Sequence, residues 1–528
     1  MQMVSGQSLW QGIASGTLVT RRIGGKQVQT YRDSPPGLYQ VLRDTQRKYP
    51  GKTAIVDNDD TPYSYSDLLT LTDRLADYLH GVHHIRRGDR VGLLLYSSIE
   101  FCAAFFALCK LGAAAVPLPE KYKRPQILSL ADKAEVCAII CEEEYGEWLH
   151  SRSFRLIQTD RRQKGFAFRN LNLPFTKACE EPDDVAVVMF TSGTTSQSKG
   201  VPLKNYNIMH AVASYQKTLG ITDRDKAVLA TPIYNITGMV ALVGLFVYAG
   251  GTLFLHRKFD AVRVLQCAVE NKLTFLHASP TVFSLLLDHR EAYPRLPDMR
   301  MFACGGGNLP AGHIRRLKQW IPSADMRTVY GLTETSSPAT IFPAGASDSP
   351  YIGSSGIPIP GVEVSIADDA GEELGPGQIG EICLRGTVVA EGYLNGGEEA
   401  FTADGWFKSG DLGYLNAEGY LYVADRKKDI INRGGEKICS FDVENALQGL
   451  PGVLEAAVVG IPHHRYGEQP AAVIRTKNNR TITEQEIREK LAGMLANYMI
   501  PVKILFVEAL PKTLNGKIDK TAVKSLFS

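Results

Sequence analysis

The sequence predicts an α/β protein. It has a large N-terminal domain of parallel-sheet α/β subdomains with a small β-barrel-like subdomain, followed by a small, mobile α+β C-terminal domain. Three observations carry this reading. From residue 38 onward, short aliphatic runs alternate with helix-length apolar patterns, the rhythm of βαβ units. From about Gly353 the runs alternate in period two between Gly, Asp and Asn turns, as an antiparallel sheet or barrel does. After the charged run Asp425-Arg-Lys-Lys-Asp429 a compact unit carries its own helices and strands. A chain of 528 residues exceeds one ordinary core, since domains usually run ~100–200 residues.

The elements follow in order. Residues 1–36, rich in Gly, Ser, Gln and Arg and closed by Pro35-Pro36, are expected to be a loosely attached arm. The N-terminal domain is assigned to 37–427. It opens with a helix pattern over 38–49 and a strand over 53–57. A strand at 91–96, an apolar helix at 99–111 and a strand at 113–117 make one βαβ unit. Buried strands are predicted at 136–141, 185–190, 228–230, 252–255 and 275–278, and no fixed-period repeat is visible. Alternating strands are predicted at 362–366, 380–385 and 420–423. The last unit, 428–528, reads as helix 440–447, strands 455–461 and 469–475, helix 483–495 and strand 502–507.

Composition narrows the class. Hydrophobic residues make up 44% and charged residues 22%, the balance of a water-soluble globular chain, and a net charge of +2 gives no pull toward nucleic acid or an anionic membrane. The apolar run Met239–Gly251 is too short to cross ~30 Å of hydrocarbon, and the run 101–118 is interrupted by Lys110 and Pro117. No basic-then-apolar leader is seen, so a cytoplasmic location is expected. The nine cysteines form no CxxC and the eleven histidines no HExxH, so buried thiols are expected and no metal site built from protein ligands alone.

Two segments far apart in sequence carry the chemistry. Phe190-Thr-Ser-Gly-Thr-Thr-Ser-Gln-Ser-Lys-Gly-Val201 follows a strand pattern. Its small residues let backbone N–H groups converge on an anion, hydroxyls add donors, and Lys199 supplies charge. It lacks the Gly-Lys-Ser/Thr order of a Walker A loop. By itself it also suits a polar hairpin. Near the chain's end, Pro511-Lys-Thr-Leu-Asn-Gly-Lys517-Ile places a lysine at a loop tip. By itself that lysine is an ordinary surface charge; paired with a phosphate-cradling loop it has something to neutralise. Ala303-Cys-Gly-Gly-Gly-Asn-Leu-Pro310 lets a flat ligand lie on backbone. Tyr330-Gly-Leu-Thr-Glu-Thr335 offers a ring for stacking, a carboxylate for a hard cation and two hydroxyls. Ser409-Gly-Asp-Leu-Gly413 presents Asp411 in a tight turn.

With these motifs in this order over roughly 38–528, the chain resembles the adenylate-forming superfamily of acyl- and aryl-CoA synthetases, nonribosomal adenylation domains and luciferases. The resemblance implies that Thr191, Ser192, Gly193, Thr194, Thr195 and Lys199 close over the outer phosphates of ATP, with Thr191 and Lys199 also counted as catalytic. It implies that Gly305, Gly306 and Gly307 hold adenine. Tyr330, Gly331, Thr333, Glu334 and Thr335 are implied at ring and phosphates, with Glu334 holding Mg²⁺. Asp411 is implied at the ribose hydroxyls and Arg426 at the nucleotide. By the same resemblance, Lys517 is expected to bridge acid and α-phosphate, Lys428 to be the hinge of a swinging C-terminal domain, and Gly434 and Gly435 to line a thiol tunnel. The acid pocket draws on Asn235, Ile236, Thr237, Gly238, Val240, Ser279, Gly305 and Gly331.

Departures from the family pattern are Ser196 for a usual Gly, Ser198 for Pro, Asn235 for His, Ser440 for Pro and Asp442 for Glu. Asn235 can hydrogen-bond but cannot titrate near neutrality. Ser440 is expected as an N-cap. The pocket walls are small or apolar and hold no Arg or Lys for a second carboxylate. The implied activity is ATP-dependent conversion of a carboxylic acid to an acyl-adenylate, then transfer to a thiol, with CoA ahead of a separate holo-carrier protein. A ligand-binding pseudoenzyme would have lost Lys517, Glu334 or Asp411, and all three are present. An oxidative luciferase ranks lower.

Overall fold

The computed structural model describes residues 4–6, 10–14, 17–149, 154–160, 165–166, 173–191, 198–307, 309–476, 482–513 and 517–528. Among these, two large sheets form the body. One runs in the spatial order Ile357–Pro358, Thr340–Ile341, Asp325–Tyr330, Met301–Gly305, Phe275–Ala278, Lys226–Leu229, Thr252–Leu255, Thr53–Val56, Pro62–Ser64. Its strands are parallel from Asp325–Tyr330 to Thr53–Val56 and antiparallel at both edges. The other runs Gly165–Phe166, Arg155–Asp160, Ala138–Cys141, Arg90–Leu94, Ala114–Pro117, Val185–Thr191, Lys199–Lys204, again with a parallel centre. Continuous aliphatic strands belong here because helices cover both faces of a parallel sheet.

The helix Ile99–Leu111 shows why the reading of a non-membrane helix holds. Ser98 caps its N-terminus by accepting from the Phe101 N–H, and Gly112 ends it with φ of 63°, a left-handed value that glycine adopts without penalty. Every residue of it but Glu100 is buried, Lys110 included, whose ammonium lies 3.0 Å from Asp73 and 3.8 Å from Asp77. A charge sealed in the core is paired, as it must be. Among the described residues, no helix is long and apolar enough to cross a membrane.

The third sheet is the small antiparallel unit expected after Gly353. Its order is Val4–Ser5, Val362–Ala367, Gly380–Gly386, Phe407–Leu415, Leu421–Arg426. Its last two strands place Asp411 opposite Arg426. A turn over 427–429 leaves that sheet with Lys428 exposed. Beyond it, Gly467–Thr476 pairs with Val453–His463, Ile431–Arg433 and Lys503–Phe506, and the helices Ser440–Gly449 and Glu484–Ala492 complete the unit.

Two expectations are corrected. Ser440 is not the N-cap; Cys439 holds that position without a side-chain bond, and Ser440 is the first helical residue. The N-terminal segment is not a loose arm. Val4–Ser5 extends the third sheet, the Trp10 indole donates to the Pro358 carbonyl at 2.9 Å, and Leu18–Ile23 pairs with Lys26–Tyr31 as a hairpin. The hairpin docks through Tyr31, which is 3% exposed, stacks on His210 with ring centroids 4.9 Å apart and shares a 3.1 Å hydrogen bond with Ser214. A few aromatic anchors outweigh a polar composition. Tyr31→Ala should therefore cost about 3 kcal/mol or more of stability, the range for emptying a buried aromatic site; a loose arm would lose nothing. Chemical denaturation midpoints check it.

Candidate active site

The site begins where adjacent parallel strands end. Gly305 closes Met301–Gly305, and its register partner Val329 lies one residue before the end of Asp325–Tyr330. Loops that leave the carboxyl ends of such strands form the crevice in which α/β sheets bind ligands. The glycine loop and the 330–335 loop are thus neighbours by topology. Gly331 is required here, because a Cβ would meet the Ser337 carbonyl oxygen at 1.6 Å. The turn that follows stores strain: Ser336 has φ of 54° and Ser337 of 100°. The Tyr215 hydroxyl, 2.9 Å from Ser337 Oγ, helps hold it.

Four charged groups meet above this floor. Asp411 is buried, accepts from the Tyr330 hydroxyl at 2.9 Å and lies 3.5 Å from Arg426 Nε. Burial raises its pKa, opposed by Arg426, Tyr330 and Lys517. Glu334 is buried too and accepts from the Tyr393 hydroxyl at 2.8 Å. Burial raises its pKa; the Tyr393 bond opposes, and Lys517 acts in the same direction as Tyr393. Lys517 stands on an exposed stretch of the C-terminal domain, with its carbonyl accepting from the Thr513 N–H at 2.7 Å. Its stem passes 4.0 Å from where a Cβ on Gly306 would sit. The ammonium end is crowded. Loss of water lowers its pKa, Arg426 adds to that, and Asp411 and Glu334 pull it back.

Thr191 and Lys199 face each other as the last and first residues of the strands that flank the expected phosphate-binding segment. Ser192, Gly193, Thr194 and Thr195 lie outside the described residues. The Lys199 ammonium sits 4.8 Å from the Tyr393 ring centroid and 3.7 Å from Glu399. The base of that loop therefore reaches Glu334 through Tyr393. Leu394 ties the two segments together, its N–H donating to the Gly200 carbonyl at 2.8 Å.

The predicted acid-pocket residues divide. Gly307 touches the start of the helix Pro280–Asp288, since its Cβ would lie 3.4 Å from Pro280 Cγ. Ser279 caps that helix by accepting from the Val282 N–H at 3.4 Å. Asn235, Ile236 and Thr237 are half-buried and lead into a π-helix, Thr237–Gly244. Gly238 is needed in this tight entry, where a Cβ would meet the Pro232 carbonyl at 2.6 Å. Val240 is corrected: it has no exposed surface and belongs to the core, not to an open wall. Thr335 is corrected as well. It is fully buried, and its hydroxyl accepts from the Leu332 N–H and donates to the Leu332 carbonyl, so it builds the turn and has nothing left for phosphate. Thr333 stays partly exposed beside it. Gly434 and Gly435, with φ of 63° and 97°, form an exposed hairpin turn, and Gly434 donates to the Tyr466 carbonyl.

Sequence reasoning missed two residues. Tyr393 has no motif of its own. His277 is 1% exposed, its Nε2 lies 3.4 Å from the Cβ position of Gly305, and its Nδ1 has no hydrogen-bond partner. Burial pulls its pKa down to about 4, so it is neutral. A Gly-adjacent buried imidazole leaves no sequence signal.

A desolvated carboxylate held by one phenol suits a hard cation. Glu334 fits Mg²⁺ as a single protein ligand, with phosphate and water oxygens completing the shell. Among the described residues no three His, Cys, Asp or Glu side chains converge on a possible metal position.

Residues 42–394 match the family model described as AMP-binding enzyme, and residues 442–517 match the AMP-binding enzyme C-terminal domain. A long-chain-fatty-acid–CoA ligase of Mycobacterium tuberculosis is 30% identical over 89% of this chain and 94% of its own length. A feruloyl-CoA synthase of Amycolatopsis is 32% identical over 94% of this chain and 100% of its own. The o-succinylbenzoate-CoA synthetase of Bacillus subtilis, solved with its acyl-adenylate intermediate, superposes with a TM-score of 0.82 at 28% identity, covering 93% of this chain and 98% of that one.

Glu334 supplies a pH test. Its folded pKa is raised above the ordinary 4.5, so the native state holds the proton more tightly than the unfolded chain. The resulting stability is present below 4.5 and is lost as pH rises through the raised value. Glu334→Gln keeps an acceptor for Tyr393 and cannot ionise. Melting without nucleotide should show it more stable than the parent at about pH 8, with the gap closing toward about pH 4.

Proposed function

We propose that this chain, which belongs to the AMP-binding enzyme family, is an AMP-forming acid–thiol ligase that activates a monocarboxylic acid, fatty or aromatic, and passes it to CoA. The observation that carries the reading is the approach of Lys517, from the C-terminal domain, to the glycine loop: its Cε lies 4.0 Å from where a Cβ on Gly306 would sit. A carboxylate resists nucleophiles because its charge repels them. Attack of its oxygen on the α-phosphorus of ATP forms a mixed anhydride with AMP and releases pyrophosphate. The barrier lies in bringing two anions together, and preorganised cations lower it without reorganisation at the moment of reaction.

Lys517 neutralises the acid oxygen and the α-phosphate together. Its depressed pKa reflects lost hydration, and an anionic ligand restores the favourable field of its charged form. Asp411 accepts from ribose hydroxyls, oriented by Tyr330 and Arg426. Gly305, Gly306 and Gly307 leave room for the base. Glu334 would hold Mg²⁺, which when bound would supply charge stabilisation for the leaving pyrophosphate. Lys199 and Thr191 hold the outer phosphates. The expected wall residues are small or apolar and include no Arg or Lys for a second acid group, which favours a monocarboxylate.

The thiol step needs the space Lys517 occupies. Rotation of residues 428–528 about exposed Lys428 would withdraw it and bring the Gly434–Gly435 turn to the tunnel. Pyrophosphate release across a panel of carboxylic acids, repeated with CoA and with a holo-carrier protein, tests the whole reading; release with no acid defeats it, and turnover only with the carrier moves the acceptor. Lys517→Ala should lower adenylation at least ~10²-fold, while transfer from supplied acyl-adenylate to CoA survives. Lys428→Pro should spare pyrophosphate release and cripple thioester formation, read by the same pair of assays.

A further inference from the structure

We infer that Asp425, Ser440 and Lys520 form a latch across the hinge that positions Lys517 for the first half-reaction. Asp425 ends the body side, one residue before Arg426 in the strand Leu421–Arg426. It is fully buried and accepts from the Arg426 N–H at 2.8 Å. Its other oxygen accepts from the Ser440 N–H, the first residue of the helix Ser440–Gly449. Lys520 lies 4.0 Å from the same carboxylate, donates to Ser440 Oγ, and is 3.1 Å from Glu444. Lys520 stands three residues after Lys517 and opens the last helix, Lys520–Ser525, capped by Asp519. The far side of the same loop is pinned by Lys512, 3.0 Å from Glu455.

Position along the chain makes this a latch. Asp425 precedes Lys428; Ser440, Glu444 and Lys520 follow it. A rotation about Lys428 carries the last three away from the first. Asp425 keeps the Arg426 N–H but would lose the Ser440 N–H and the Lys520 ammonium, so the network favours the one orientation in which it is complete. That orientation is the one with Lys517 in the nucleotide cluster. The same strand that offers Arg426 to Asp411 therefore offers Asp425 to the loop of Lys517. These are positioning residues, since none touches a reacting atom. The inference rests on the ligase reading and on its hinge.

The decisive variant is Ser440→Pro. Proline suits the first helical position, so the helix survives, while both the N–H to Asp425 and the hydroxyl to Lys520 are lost. Asp425→Asn and Lys520→Met remove the charges, and Lys520→Arg keeps one. Pyrophosphate release should fall roughly tenfold in Ser440→Pro, Asp425→Asn and Lys520→Met, the scale of a charge-assisted hydrogen bond. Transfer from supplied acyl-adenylate to CoA should be unchanged or faster, and Lys520→Arg should restore most of the first step. Hydrogen exchange over residues 427–440, measured without any acid, should quicken in the three damaging variants. Equal loss in both half-reactions, an unaffected first step, or unchanged exchange overturns the latch. An enzyme that releases no pyrophosphate with any acid defeats the ligase reading instead, and the exchange measurement still judges the latch.

Discussion

One lysine ammonium shares a partly dry cleft with two buried carboxylates and a guanidinium, and the rest of the molecule maintains that balance. Asp411 and Glu334 each have a single phenol donor, Tyr330 and Tyr393. Burial pushes both carboxyl groups toward their neutral forms and pushes Lys517 the same way. The lysine and each carboxyl group oppose that push on one another. Such a cleft is poised for a ligand that brings phosphate and a divalent cation together, since each added charge finds an opposite one already fixed. Fixed charges in a water-excluded cleft act more strongly than the same charges in solvent, and their orientation has been settled during folding.

The scaffold earns this by topology. Parallel strands end side by side, so the glycine loop after Gly305 and the turn after Tyr330 need no long connection to meet. The antiparallel sheet contributes Asp411 and Arg426 from paired strands, fixed by register. Strain at Ser336 and Ser337 and the close approach at Gly331 hold the Glu334 turn in one shape. A loop set only by its own sequence would not keep a buried carboxylate in place.

These differences explain what the sequence made legible. Local chemistry was readable: the helix Ile99–Leu111, the strand Phe275–Ala278 and the glycine run all follow from neighbouring residues. What escaped depends on approach from afar. Tyr393 becomes meaningful only because its segment is tied to Gly200, and His277 only because it packs under Gly305. Thr335 was misread because a hydroxyl beside a phosphate motif looks available until the backbone claims it. The N-terminal hairpin was misread because composition describes its polar face and not Trp10 or Tyr31. The π-helix after Asn235 has no periodicity signal, since every residue from Gly238 to Gly244 is buried.

The contact between lobes sets a limit on its own strength. A two-step ligase that uses one mobile lobe must visit both orientations in every turnover, so neither can be far below the other in free energy. The Asp425 network meets this limit by its composition. It contains two acids, Asp425 and Glu444, and one lysine, and each acid has a backbone N–H of its own: Arg426 serves Asp425, and Val458 serves Glu444. Those two bonds lie on opposite sides of Lys428 and survive any rotation about it. Within this network only the Ser440 N–H and the Lys520 ammonium would be exchanged by the proposed rotation, and Lys520 would keep Glu444 in either state. The proposed latch thus favours the orientation with Lys517 near the glycine loop by a few replaceable bonds, too few to trap the lobe there.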